Sequence, residues 1–139
     1  MITTALASVN IRGVLAAAVF AFVFGGVYFC VLTTRHYAVA MGREGQAPAR
    51  PSPLMIFGPF LCNMVMIVAI AVLLRLTGRE TLGQATALGL LVAIGLLLPM
   101  CMMIAINPNF PRPFYYTALN APYLLASAVI YALILTVLK

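Results

Sequence analysis

The sequence contains no aspartate and no tryptophan, and its 139 residues include two glutamates and one histidine. Each shortage excludes a class of chemistry. A zinc or di-iron centre needs several histidine or carboxylate ligands, and His36, Glu44 and Glu80 are too few and too scattered to supply them. A haem held by paired histidines across a bundle needs a second histidine. Acid–base and nucleophilic catalysis by the usual side chains is equally underprovided. Proton-coupled transport normally places an ionisable residue inside the membrane, as the membrane glutamate of the small multidrug transporters does; here both glutamates fall in or beside connections. No cofactor and no metal is therefore expected.

Charge itself is scarce. Charged residues make up 7% of the chain and hydrophobic ones 65%, where a soluble domain carries about 25% charged residues. So short a chain has too much surface per volume to cover itself with so few polar groups, and its solvent must be largely lipid. Four apolar stretches, at about residues 13–33, 54–74, 84–106 and 118–138, contain no Asp, Glu, Lys, Arg or His. Each reaches the roughly 20 residues that cross a ~30 Å hydrocarbon core as a helix, the form that satisfies its own backbone in lipid. The expected fold is an all-α membrane protein, a bundle of four transmembrane helices forming one domain over residues 1–139. The first stretch, preceded by Arg12, imitates a signal peptide, but its apolar run exceeds the usual h-region, so it reads as a retained span.

The connections are short. Thr34 to Pro53 holds Pro48, Pro51 and Pro53 and reads as an extended or turning loop; Asn107 to Thr117 holds Pro108, Pro111 and Pro113 and reads the same way. Arg75 to Gly83 reads as a tight hairpin with Gly78 ending a helix. An even number of spans puts both termini on one face. Arg12, Arg75, Arg79 and Lys139 lie on that face, and Arg35, Arg43, Arg50 and Arg112 on the other, so the count of basic residues that usually orients a membrane protein is balanced. Aromatic residues are not: Tyr28, Phe29, Tyr37, Phe57, Phe60, Phe110, Phe114, Tyr115 and Tyr116 form a belt toward the first and third connections. The net charge of +6 is spread over separate regions, which suits contact with anionic lipid and lacks the clustered surface of a nucleic-acid binder.

Inside the spans, Cys30, Cys62 and Cys101 are separated among three helices and read as small apolar filler. Methionines 100, 102 and 103 surround Cys101, but adjacent residues point around a helix rather than at one soft-metal centre. Ala17, Ala21 and Gly25 in the first span, and Ala85, Gly89 and Ala93 in the third, recur every four positions, a spacing that lets helices approach closely. Asn63 lies roughly 13 Å deep in the second span by helical rise. Its amide requires a partner, and the carbonyl of Gly95, left without its donor by Pro99, is one such acceptor.

The nearest thing to a binding site is polar and lies on the aromatic side. Asn107, Asn109, Arg112, Tyr115, Tyr116 and Asn120 cluster around three prolines, with Arg35 and His36 on the same side. Arginine with Asn and Tyr donors suits a phosphate or carboxylate headgroup; the competing reading is interfacial anchoring, with Arg snorkelling and Tyr in the belt.

Three segments carry a family resemblance. Asn10 leads into an Ala/Phe-rich span ending Gly25-Gly26-Val27-Tyr28-Phe29, similar to Gly-x-x-Trp-Tyr. Gly83 to Asn109 is a Gly-containing span running into an Asn-rich end. Pro113 to Ser127 contains Leu119-Asn120-Ala121 and then Tyr123, similar to Asn-Ala-x-Tyr-His. In these the chain resembles the bacterial domain-of-unknown-function family 1761, small four-span membrane proteins without an assigned activity. It departs in having Phe29 and no Trp, and Leu124 where a histidine is common.

These readings lead to a multi-pass protein of the bacterial inner membrane whose partners are membrane lipids and either further copies of itself or a larger complex. Its expected role is a non-catalytic accessory or assembly subunit. The alternatives are an oligomeric small channel or facilitator, and a lipid-headgroup-binding protein or membrane enzyme working at the aromatic side.

Overall fold

The computed structural model describes residues 1–46 and 52–138; Pro48, Arg50, Pro51 and Lys139 lie outside the described residues. Six helical elements follow in order: α1 (Ile2–Ala7), α2 (Ile11–Leu32), α3 (Thr34–Ala40), α4 (Pro53–Leu76), α5 (Leu82–Ala105) and α6 (Pro113–Val137). α2, α4, α5 and α6 are long and apolar enough to cross a bilayer, and among the described residues there is no strand. The chain is a multi-pass, all-α membrane protein.

The helix ends follow from local chemistry. Asn10 caps α2 by accepting from the Arg12 N–H, Ser52 caps α4 through the Met55 N–H, and Thr81 with Gln84 forms a reciprocal capping box at α5. α3 and α4 both end in a residue with positive φ, Gly42 at 65° and Gly78 at 59°. In each case two bonds run backward across the end: Arg43 N–H to Ala38 and Gly42 N–H to Val39, then Arg79 N–H to Leu74 and Gly78 N–H to Arg75. Such a terminus favours glycine at its left-handed position.

Two connections differ from the loops that their prolines suggest. Thr34–Ala40 is helical, because the prolines begin only after Gly42 and the preceding residues are free to coil. The last span begins at Pro113, since proline at the first helical position has no N–H to lose and a fixed, helix-compatible φ; Tyr115, Tyr116 and Thr117 consequently lie on α6.

α6 is the hub. It touches α2, α3, α4 and α5, whereas α4 and α5 scarcely meet each other. The interior is built from small residues and a few large ones: Ala17, Ala21, Ile67, Ile70, Ala85, Ala93, Ala128, Tyr131 and Ala132 are buried. Leu15, Val19, Phe22, Leu61, Val65, Leu91, Ile94 and Leu96 point outward, as expected when lipid rather than water bathes the bundle. Gly89 marks the closest approach of α5 to α6; a Cβ there would stand 2.7 Å from the Val129 Cα.

The ends of the bundle are tied. The Asn10 side chain donates to the Leu138 carbonyl, joining the start of α2 to the end of α6 and placing both on one face. Asn10→Ala is expected to cost about 1 kcal/mol, as for loss of a helix cap. Asn10→Asp, which still caps but donates nothing to Leu138, should recover part of that. Unfolding midpoints in detergent check both, and an unchanged midpoint in the alanine variant would remove the tie.

Candidate functional site

Several polar side chains within the spans meet at one place. Tyr123, Ser127 and Tyr131 are spaced by four along α6 and are buried, so they form a single stripe. Asn63 of α4 faces it. The Tyr131 hydroxyl donates to Asn63 Oδ1 at 2.8 Å, and Asn63 Nδ2 donates to the Tyr123 hydroxyl at 3.3 Å and to the Pro59 carbonyl at 2.9 Å. Asn63 therefore uses the carbonyl one turn back on its own helix and two phenols of α6, not the carbonyl of Gly95. α5 absorbs Pro99 instead with a π-turn at Ala93–Leu97, one of the ordinary responses of a helix to a missing N–H. Ser127 Oγ is buried and has no hydrogen-bond partner among the described residues.

Aromatic rings of α2 close the other side. Tyr123 lies 5.3 Å from Phe24, 5.6 Å from Tyr28 and 4.8 Å from Phe29 between ring centroids, and Phe20 meets Tyr131 edge-on at 6.1 Å. Gly25 admits Tyr123: a Cβ there would stand 3.3 Å from the phenol oxygen. α2 ends in a π-turn at Tyr28–Leu32, whose first two carbonyls, those of Tyr28 and Phe29, accept from the Thr33 and Thr34 hydroxyls. The Tyr28 hydroxyl donates at 2.8 Å to the Leu119 carbonyl, three residues before Pro122, in a turn that the proline disturbs. The Gly25–Phe29 and Asn120–Tyr123 segments, distant in sequence, thus face each other at Tyr123. The residues of this knot exchange hydrogen bonds and stack rings.

The polar residues of the aromatic side are largely bonded to one another. The Arg112 guanidinium pairs with Glu44 and donates to the Val39 carbonyl at 3.2 Å, so it fastens the C-terminal end of α3, where a cation complements the helix dipole, to the start of α6. His36 Nδ1 and the Tyr115 hydroxyl share a 2.7 Å hydrogen bond. Tyr37 donates to the Tyr116 hydroxyl at 3.0 Å; its burial, then that bond, hold the Tyr37 phenol above its usual pKa. Asn107 Oδ1 accepts from the Asn109 N–H at 2.8 Å, a turn made by its own side chain. Asn120 is buried and donates to the Tyr116 carbonyl. Arg35 stays exposed on α3. Of the residues proposed for a headgroup, His36 with Tyr115 and Arg112 with α3 are brought together, while Asn120 points into the bundle.

Tyr123 and Tyr131 are the functional-site residues that residue-by-residue reading overlooked. Their signal is the run Asn120, Tyr123, Ser127, Tyr131 at spacings of three, four and four, which is one polar face on a stretch of helix that, Pro122 apart, is otherwise Ala, Leu, Ile and Val from Ala118 to Leu135. Among the described residues no three His, Cys, Asp or Glu side chains gather at one point.

A family model described as "Protein of unknown function (DUF1761)" matches residues 13–136. No curated protein and no solved structure matches the chain. The matched stretch takes in the whole Tyr123 knot, with Gly25, Tyr28 and Phe29 on one side and Asn63, Ser127 and Tyr131 on the other, and on that match the chain belongs to the domain-of-unknown-function family 1761.

Proposed function

We propose that this chain is a non-catalytic accessory or assembly subunit of the bacterial inner membrane, acting through its helix surfaces within a larger membrane complex. The observation that supports this reading is the use made of the intramembrane polar groups. Asn63, Tyr123 and Tyr131 bond to each other across α4 and α6, so the polarity that these three bring into the spans is spent on holding the fold. The interior between the helices is filled by Ile67, Ile70 and Tyr131, so a conducting path, on the alternative reading of a small channel, would run between copies of the chain rather than through one.

Purification from native membranes in mild detergent, together with reconstitution into liposomes, tests the proposal. The expected result is a fixed ratio of this chain to a second polypeptide through size separation, and no ion or small-solute flux above empty liposomes from the chain alone. Flux carried by a pure homo-oligomer would overturn it in favour of the channel.

A further inference from the structure

On the face that carries the termini, the ends of α4 and α6 and the start of α2 line a partly open cavity of about 120 Å³. Its buried lining is Ala71, Leu74, Leu135 and Thr136, and its more exposed rim carries Asn10, Arg75, Arg79 and Glu80. Two of the polar groups are occupied within the bundle: Asn10 donates to Leu138 and Thr136 to the Ala132 carbonyl. Glu80 has a partner of its own. Among the described residues the guanidiniums of Arg75 and Arg79 form no ion pair, in contrast to Arg112, which Glu44 neutralises. Two arginines against one glutamate leave the rim with a surplus of one positive charge.

We propose that this cavity binds a phosphate group, held by Arg75 and Arg79 and presented by an anionic phospholipid of the facing leaflet. Guanidinium matches phosphate oxygens with paired N–H donors, and the boundary between spans and connections is where a phospholipid phosphate lies. The layering of the cavity fits the same ligand, with charge at the rim and aliphatic carbon beneath, where the glycerol end of the molecule sits. Arg75 also borders a more open hollow of about 450 Å³ between α1 and α4, formed with Thr4, Ala5, Ser8 and Leu76. The site is opposite the aromatic side, where arginine, histidine and tyrosine invite the same chemistry but Arg112 is spent on Glu44 and Val39.

Native mass spectrometry of the detergent-purified full chain, titrated with phosphatidylglycerol or with phosphatidylcholine, tests this. The parent is expected to retain phosphatidylglycerol in preference to phosphatidylcholine. Arg75→Gln/Arg79→Gln should weaken phosphatidylglycerol binding by at least about tenfold, the scale of a single lost charge-assisted hydrogen bond, while Arg112→Gln keeps it. Arg75→Lys/Arg79→Lys, which preserves charge without the planar fork, should bind to an intermediate degree and guards against a glutamine variant that fails to fold. Millimolar inorganic phosphate added as competitor identifies the source: displacement makes the free anion the ligand of the same pocket, and persistence assigns it to the lipid. Equal occupancy in the parent and a folded glutamine variant, equal retention of the two lipids, or an equal loss in Arg112→Gln would overturn the proposal.

Discussion

Gly89→Leu is expected to lower the unfolding midpoint in detergent far more than Leu90→Ala, although the two positions are adjacent on α5. The difference lies in what each side chain meets. A Cβ at residue 89 would stand 2.7 Å from the Val129 Cα, 2.9 Å from the Ala128 carbonyl oxygen and 3.0 Å from the Val129 nitrogen. All three are backbone atoms of the hub helix and cannot rotate away. Relief requires α5 and α6 to separate by roughly 1 Å to regain ordinary carbon contact at ~3.5–4.0 Å. That separation also opens the contacts one turn to either side, at Ala85 and Ala93, both fully buried. Overpacking of a tight interior costs about 1–3 kcal/mol, and a leucine at a backbone contact belongs at or above the upper end. Leu90 is 40% exposed and faces acyl chains as apolar as itself. Its truncation forfeits little, because lipid offers no hydrophobic penalty to be regained, so well under about 1 kcal/mol is expected. Equal midpoints for the two variants would show that the α5–α6 approach does not hold the bundle together.

The contrast shows what was legible in the sequence. Spans were readable because lipid imposes one crude requirement, a length of apolar residues, which charge-free runs state directly. Their ends are less so: Pro113 suits a loop, yet proline also suits the first turn of a helix, and only the chain's actual course decides between the two. The four-residue spacing of Ala85, Gly89 and Ala93 is visible in the sequence, but nothing local identifies Val129 as the surface it meets. Pairings across distance were the least readable. Arg112 looked like an anion ligand from its neighbours in sequence, whereas its nearest charge is Glu44, 68 residues earlier. Asn63 was recognisably a polar group in need of a partner, and a freed carbonyl beside Pro99 was the obvious acceptor. The structure supplies Pro59 and two tyrosines instead, because α4 and α5 scarcely touch while α4 packs directly against α6.

That geometry makes Asn63 and Tyr131 a coupled pair, and a double-mutant cycle should show it. Tyr131→Phe keeps the ring, its burial and its edge-on contact with Phe20, and removes only the hydroxyl that donates to Asn63 Oδ1 at 2.8 Å. The Asn63 oxygen is then left with Tyr123 at 3.5 Å, a weak bond by distance. Asn63→Leu has the larger effect, since it deprives Tyr131 of its acceptor and Tyr123 of its donor at once. Orphaning a buried polar group costs about 1–3 kcal/mol, although hydrogen bonds between transmembrane helices measure lower, about 0.6 kcal/mol on average and up to ~1.7. The expected order of destabilisation is Asn63→Leu, then Tyr131→Phe, then Tyr123→Phe, whose contacts with Asn63 are the longest. In the Asn63→Leu background, Tyr131→Phe should cost nothing further and regain some stability, because it removes a hydroxyl that has lost its acceptor. A coupling of about 1 kcal/mol is expected, within the range for contacting residues. Strict additivity of the two substitutions, measured by denaturant titration of the reconstituted protein, would mean that the bond is not formed in the membrane and that ring packing alone joins α4 to α6.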